Sequence, residues 1–149
     1  MGVTVKKHAL PRSYEIRADV GILERGGGKA ADKHGDELTI AALASYHEFG
    51  LGVPQRSFIR GFFDAGRPRA NGIIEGRLKA IRAGTVSPAT GAEQIGIMLA
   101  GACAARVMRS GALAPLAAET ISRKGSARPL VDTGLLVSAI TGTGRVVPL

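Results

Sequence analysis

Ser87-Pro88-Ala89-Thr90-Gly91-Ala92-Glu93-Gln94-Ile95-Gly96-Ile97-Met98-Leu99-Ala100-Gly101-Ala102-Cys103-Ala104-Ala105-Arg106-Val107-Met108-Arg109-Ser110 reads as one long helix. Ser87 is placed to cap it and Pro88 occupies its first position, where no backbone donor is missed. Ile95, Leu99, Ala102, Val107 and Met108 carry its apolar periodicity. Gly91, Gly96, Ala100, Gly101 and Ala104 give it a small-residue face suited to close contact with another helix. Each internal glycine weakens an isolated helix by about 1 kcal/mol, so packing must compensate.

Strands are expected on either side of this helix. Residues 14–23 alternate, with Tyr14, Ile16, Ala18 and Val20 on one side and Glu15, Arg17 and Asp19 on the other. That period of two marks a half-buried strand. Residues 141–147 read as a last strand, weakened by Gly142 and Gly144. The fold class expected is α+β: a small antiparallel sheet packed with several helices, preceded by an extended arm over residues 1–13 and containing a flexible Gly-rich loop over residues 24–37. Residues 14–149 form a single domain in this reading.

Between these strands the helical signals are frequent. Residues 38–49 read as a helix, with Thr39 as cap and Gly50 as terminator. Residues 51–55 form a Gly/Pro turn, after which Ser57 caps a helix bearing Phe58, Ile59, Phe62 and Phe63. Gly66-Arg67-Pro68 breaks that helix, and helical spacing resumes over residues 70–83 until Gly84. Residues 114–124 read as a short helix, and residues 132–140 as a capped helical turn or short helix.

The chain has 149 residues, 45% of them hydrophobic but only 4% aromatic, so its core must rest on Ile, Leu, Val and Ala. The formal charge of +8 invites an acidic or nucleic-acid partner. The basic residues are spread along the chain, and few aromatics are present for base stacking. No apolar run has the length of a signal peptide core or a membrane span.

Signals for chemistry are few. Gly28-Lys29 lacks the spacing of a phosphate-binding loop, because Leu23 and Ala30 stand where that motif needs Gly and Ser or Thr. His47-Glu48 is not a zinc-protease motif, since Leu51 occupies the second His position. His8, His34 and His47 have no metal-ligand spacing, and Cys103, the only cysteine, reads as a buried core residue. Asp132-Thr133-Gly134 has the form of a retroviral-type protease motif. Only 15 residues follow Gly134, too few for a flap and a second sheet layer, and Leu135 is not small. Asp132 or Thr133 is instead expected to cap the helix beginning at Gly134. No catalytic residue, metal ligand or cofactor is assigned.

Several stretches taken in order resemble one family. Val20-Gly21-Ile22 is followed by Ala44-Ser45-Tyr46-His47-Glu48-Phe49-Gly50 and by Val53-Pro54-Gln55-Arg56-Ser57-Phe58-Ile59-Arg60. Then come Ala114-Pro115-Leu116, Lys124-Gly125-Ser126 and Pro129-Leu130-Val131-Asp132-Thr133-Gly134 with Leu136, Ser138 and Ile140. This set resembles the virion-morphogenesis proteins of tailed bacteriophages, in the neck and tail-completion family encoded near the head–tail joining genes. The resemblance implies a non-catalytic structural protein of the virion that forms a ring, commonly a hexamer, at the head–tail interface. Its implied partners are copies of itself, the head–tail connector, tail proteins, and DNA passing non-specifically through the channel. The implied structural residues are Gly50 and Pro54 for a turn, Arg56 and Phe58 as anchors of the next helix, and Asp132-Thr133-Gly134 as a helix cap. The sequence departs from the family pattern at Leu51, where Thr or Ser is usual, and at Gly66-Arg67-Pro68. Alternative readings are a tail terminator, which would sit at the same interface, and a basic nucleic-acid-binding module.

Overall fold

The two strands at the far ends of the domain pair with each other. In the computed structural model, which describes residues 13–22, 29–31, 37–109, 118, 122 and 134–149, β1 (Tyr14–Gly21) runs antiparallel to β4 (Thr141–Pro148) from Tyr14↔Pro148 to Gly21↔Thr141. The alternation read in β1 is realised. Ile16, Ala18 and Val20 pack toward the core, while Glu15, Arg17 and Asp19 face outward. Arg17 stands directly opposite Arg145, a repulsive pairing on an exposed face. Glu15 sits 3.1 Å from Arg17, and Asp19 sits 2.7 Å from Arg145, so each cation has its own carboxylate. Such exposed pairs are screened by solvent and add little to stability. The fold is therefore α+β, with five helices among the described residues.

A second ladder corrects the sequence reading of residues 24–37. There β2 (Lys29–Ala31) pairs antiparallel with β3 (Glu37–Thr39) where a flexible loop is expected. The dense charge and glycine of that segment hide a pairing that is only three residues long. Helix α1 (Ile40–Phe49) follows at once, two residues later than the apolar spacing suggests, because Leu38 belongs to β3. Thr39 caps it as expected, its hydroxyl accepting from the Ala42 N–H at 3.1 Å.

Helices α2 (Ile59–Ala65) and α3 (Arg67–Arg82) are separated by Gly66 alone. A Cβ at Gly66 would overlap the Phe62 carbonyl, which explains the glycine at this junction. The break expected at Gly66-Arg67-Pro68 is present, made by Gly66 and not by Pro68. Pro68 lies in the first turn of α3, where its missing N–H leaves no bond unmade, so α3 starts three residues before the expected position. Gly84, at φ +71°, ends the segment as the sequence suggests.

Helix α4 (Pro88–Met108) is the centre of the molecule. Ser87 caps it, accepting from Thr90 N–H at 3.1 Å. Ile95, Leu99, Cys103 and Val107 enter the core beside Phe58, Phe62 and Leu136. Of its small residues, Gly91 serves the helix–helix contact expected, lying against Ile81 of α3. Ala92, Gly96 and Ala100 lie against the backbone of β4. A Cβ on Gly142 would overlap the Gly96 carbonyl, and one on Gly144 would overlap the Ala92 carbonyl. The glycines that weaken β4 as a strand are thus what lets the helix backbone reach the strand backbone. The short helix α5 (Leu135–Ser138) then closes the core with Leu136, Ala139 and Ile140.

The helix expected over residues 114–124 lies outside the described residues, except that Ala118 and Ser122 are helical. The arm over residues 1–12 also lies outside them. Among the described residues no helix is long and apolar enough to cross a membrane.

Because Gly144 faces backbone rather than a flexible side chain, its neighbour cannot move aside. Gly144→Ala is expected to lower stability by about 1–3 kcal/mol, the usual range for overpacking. Urea denaturation measures this as a lower midpoint; an unchanged midpoint would show that α4 and β4 are not in backbone contact.

Candidate functional site

The residues singled out between Tyr46 and Arg60 converge on one carboxylate. Glu48 sits in the last turn of α1 and is only 6% exposed. Burial of an isolated carboxylate costs several kcal/mol, so it must be matched by donors. Its Oε2 accepts from the backbone N–H of Phe58 at 2.8 Å and of Ile59 at 3.0 Å. Its Oε1 accepts from Arg60 N–H and from Arg60 Nε, both at 3.0 Å. These N–H groups belong to the first turn of α2 and have no partner within their own helix. Glu48 is therefore the N-cap of a helix that begins eleven residues after it, and it also meets the positive end of that helix's dipole.

The Glu48 backbone carbonyl is equally engaged. It accepts from Gln55 Nε2 at 3.2 Å, Ser57 Oγ at 3.1 Å and Arg60 Nη2 at 2.8 Å. This corrects the role given to Ser57. Its hydroxyl donates to that carbonyl and accepts from Arg60 Nη2, while the Glu48 carboxylate does the capping. Chemically, the carboxylate has about four acceptor sites and four donors aimed at them. It is built to hold two helices together.

The chain between the helices has to turn tightly to bring them this close. Gly50 makes the turn at φ +74°, donating its N–H to Tyr46 O at 2.9 Å, and a Cβ there would press on Gln55 at 3.0 Å. Pro54 is exposed, and its carbonyl accepts from Arg56 Nη1 at 3.4 Å. Arg56 N–H closes the loop onto His47 O at 2.7 Å. The Arg56 side chain is buried, and that burial pulls its pKa below the ordinary arginine value. Phe58 is fully buried, and its carbonyl takes the Cys103 thiol at 3.7 Å. Gly50, Pro54, Arg56 and Phe58 thus stand in one corner of the molecule.

Of the remaining motif, Gly134 is the residue at the cap position of α5, with φ +71°. The helix begins at Leu135, one residue later than the sequence reading places it. Asp132 and Thr133 lie outside the described residues. The sequence reading missed Glu48 and Arg60 as the organising pair. Their only sequence signal is a lone carboxylate before Phe49-Gly50 and an Arg twelve residues on.

The outer side of the corner is apolar. Phe49 is 58% exposed and Leu51 54%, with Tyr46 one turn before Phe49. The Arg60 guanidinium lies over the Phe49 ring at 5.0 Å from its centre. Arg60 is itself held by Glu48, so the exposed ring is braced from within. The phenylalanines therefore divide: Phe58 and Phe62 are core, while Phe49 and Phe63 face outward. Among the described residues no group of three His, Cys, Asp or Glu is placed to hold a metal. Comparison with family profiles, curated proteins and solved structures finds no match to this chain.

Two outcomes follow from this geometry. Glu48→Ala removes the acceptor of the α2 N–H groups and is expected to cost about 1–3 kcal/mol, since Arg60, the other member of the pair, is half exposed and can turn to water. Urea unfolding of the variant measures the loss, and a change below about 1 kcal/mol would mean that water replaces the cap. Cys103 gives the second. Burial, with the nearby Glu48 charge, pushes its thiol up to about 11 from 9.0. A raised value means that Cys103 supports the fold at neutral pH and withdraws that support as pH climbs from 9.0 toward about 11. At neutral pH the folded protein should resist alkylation by iodoacetamide and react once urea unfolds it. Rapid alkylation without denaturant, read by mass spectrometry, would contradict this burial.

Proposed function

We propose that the chain is a non-catalytic structural protein of a tailed-phage virion: a ring-forming neck or tail-completion subunit at the head–tail interface, around the DNA channel. It assembles in the host cytoplasm and then resides in the virion. Its partners are further copies of itself, in a ring that is commonly a hexamer, with the head–tail connector and tail proteins on the two faces. The DNA that passes through is a non-specific contact.

One observation carries this reading. The ordered motifs of residues 44–60 fold into a rigid corner whose carboxylate caps a helix and whose outer side presents Phe49 and Leu51. A fixed aromatic beside an arginine is a common anchor of protein–protein interfaces. A closed ring needs such an anchor on one side of each subunit and a matching surface on the other. The small backbone-to-backbone core suits a subunit that gains further stability from its neighbours.

The test is the oligomeric state of the purified chain, by native mass spectrometry and negative-stain imaging, together with its location in particles. Closed rings and a position at the head–tail junction are expected, the axial position separating tail completion from a tail terminator. A monomeric protein that is absent from particles would overturn the proposal. Phe49→Asp with Leu51→Asp should dissociate the ring while leaving the helical circular dichroism unchanged, because neither side chain is in the core.

A further inference from the structure

Three glycines have no packing requirement among the described residues. Gly72 and Gly76 lie one turn apart in α3, and Gly101 lies in α4; a Cβ at any of them would meet nothing within 4 Å. None has positive φ. Each weakens its helix relative to alanine without a steric reason among the described residues. They differ in this from Gly66, Gly96, Gly142 and Gly144, where a Cβ would collide with backbone.

All three open onto one cleft of about 500 Å³ between α3 and α4. Ile73, Met98 and Ala102 supply its apolar lining, and Arg69 and Arg77 its charge. Arg77 Nη1 donates to Gln94 Oε1 across the two helices at 3.1 Å. Arg69 is exposed and has no carboxylate partner among the described residues. Along α3 as a whole, Arg67, Arg69, Arg77, Lys79 and Arg82 stand against Glu75 alone.

We propose that this cleft is the docking groove for an acidic amphipathic helix of another protein. Glycines at a spacing of four leave a notch along the row that the ridge of an approaching helix fills. Met98 supplies an adaptable side chain to such a contact. The unbalanced cations select carboxylates on the flanks of the incoming helix. A second copy of this chain does not meet the requirement with its described helices. Asp64, Glu75 and Glu93 are the sole acids of α2, α3 and α4, α5 has none, and the Glu48 of α1 is buried. DNA would be drawn to the outer cations, but its phosphates gain nothing from an apolar notched floor. The inference goes beyond the ring reading and does not depend on it.

The experiment uses the full chain and three fluorescent probes. One is a helical peptide with an Ala/Leu seam flanked by Glu, the second has Lys in place of each Glu, and the third is a short DNA duplex. The protein variants are Gly76→Leu with Gly101→Leu, which fills the cleft, and Arg69→Glu, which cancels its charge. The filled variant should melt no lower than the parent, since both changes remove glycine from helix interiors at positions where a Cβ meets nothing within 4 Å. Expected are binding of the acidic peptide by the parent chain, weakening by about tenfold or more in the filled variant, and weaker binding of the same peptide by Arg69→Glu. The proposal is overturned if the parent ignores the acidic peptide, if filling leaves its affinity unchanged, or if DNA is the probe whose binding the filling abolishes.

Discussion

The join between α1 and α2, and the core residues seated there, hang on a carboxylate used as a backbone partner. Glu48 terminates one helix and starts the next, through three backbone N–H groups and one guanidinium. A charged acceptor on such donors is worth roughly twice a neutral one. The arrangement fixes the angle between α1 and α2, and with it the seat of Phe58 and Phe62 in the core. It also fixes Arg60, which lies over Phe49. One buried charge thus sets both the interior and the most exposed aromatic surface of this corner.

The second constraint is steric. Ala92, Gly96 and Ala100 on α4 face Gly142 and Gly144 on β4, and no side chain separates the two backbones there. Apolar area at that contact is small, so dispersion and shape take the place of large side chains. This is how a chain with so few aromatics fills its centre. Phe58 and Phe62 do the bulk filling on one side of α4, and close approach removes the space on the other.

Local pattern in the sequence shows the elements clearly where one element decides its own fate. The alternation of β1, the Ser87-Pro88 start of α4, the Thr39 cap and the Gly50 and Gly84 stops all obey rules that act within a few residues. What stayed hidden is decided at a distance. The cap of α2 comes from another helix, so Ser57 attracted the role by position alone. Gly142 and Gly144 count against a strand until the helix that needs them is in place. The pairing of β2 with β3 is too short to leave a period. Pro68 looks like a breaker only if the preceding helix is assumed to continue. The aromatic corner was partly legible, since the 44–60 stretch drew notice as a unit, but its organising residue did not.

The β1–β4 pairing also says something about how the molecule is made. Asp19 and Arg145 bond to each other across 126 residues of chain. At about 5–20 residues per second, a ribosome takes on the order of ten seconds to make that interval. Throughout it β1 has no partner strand, although α4, against which it also packs, is made before β4. Closing so long a loop is also entropically late. The sheet is then the final event of folding, and α4 waits for the strand that lies along it. A nascent or truncated chain keeps an open strand edge, which chaperones bind and other chains can pair with. Formation of the eight-residue β4 is the event that closes the sheet along α4.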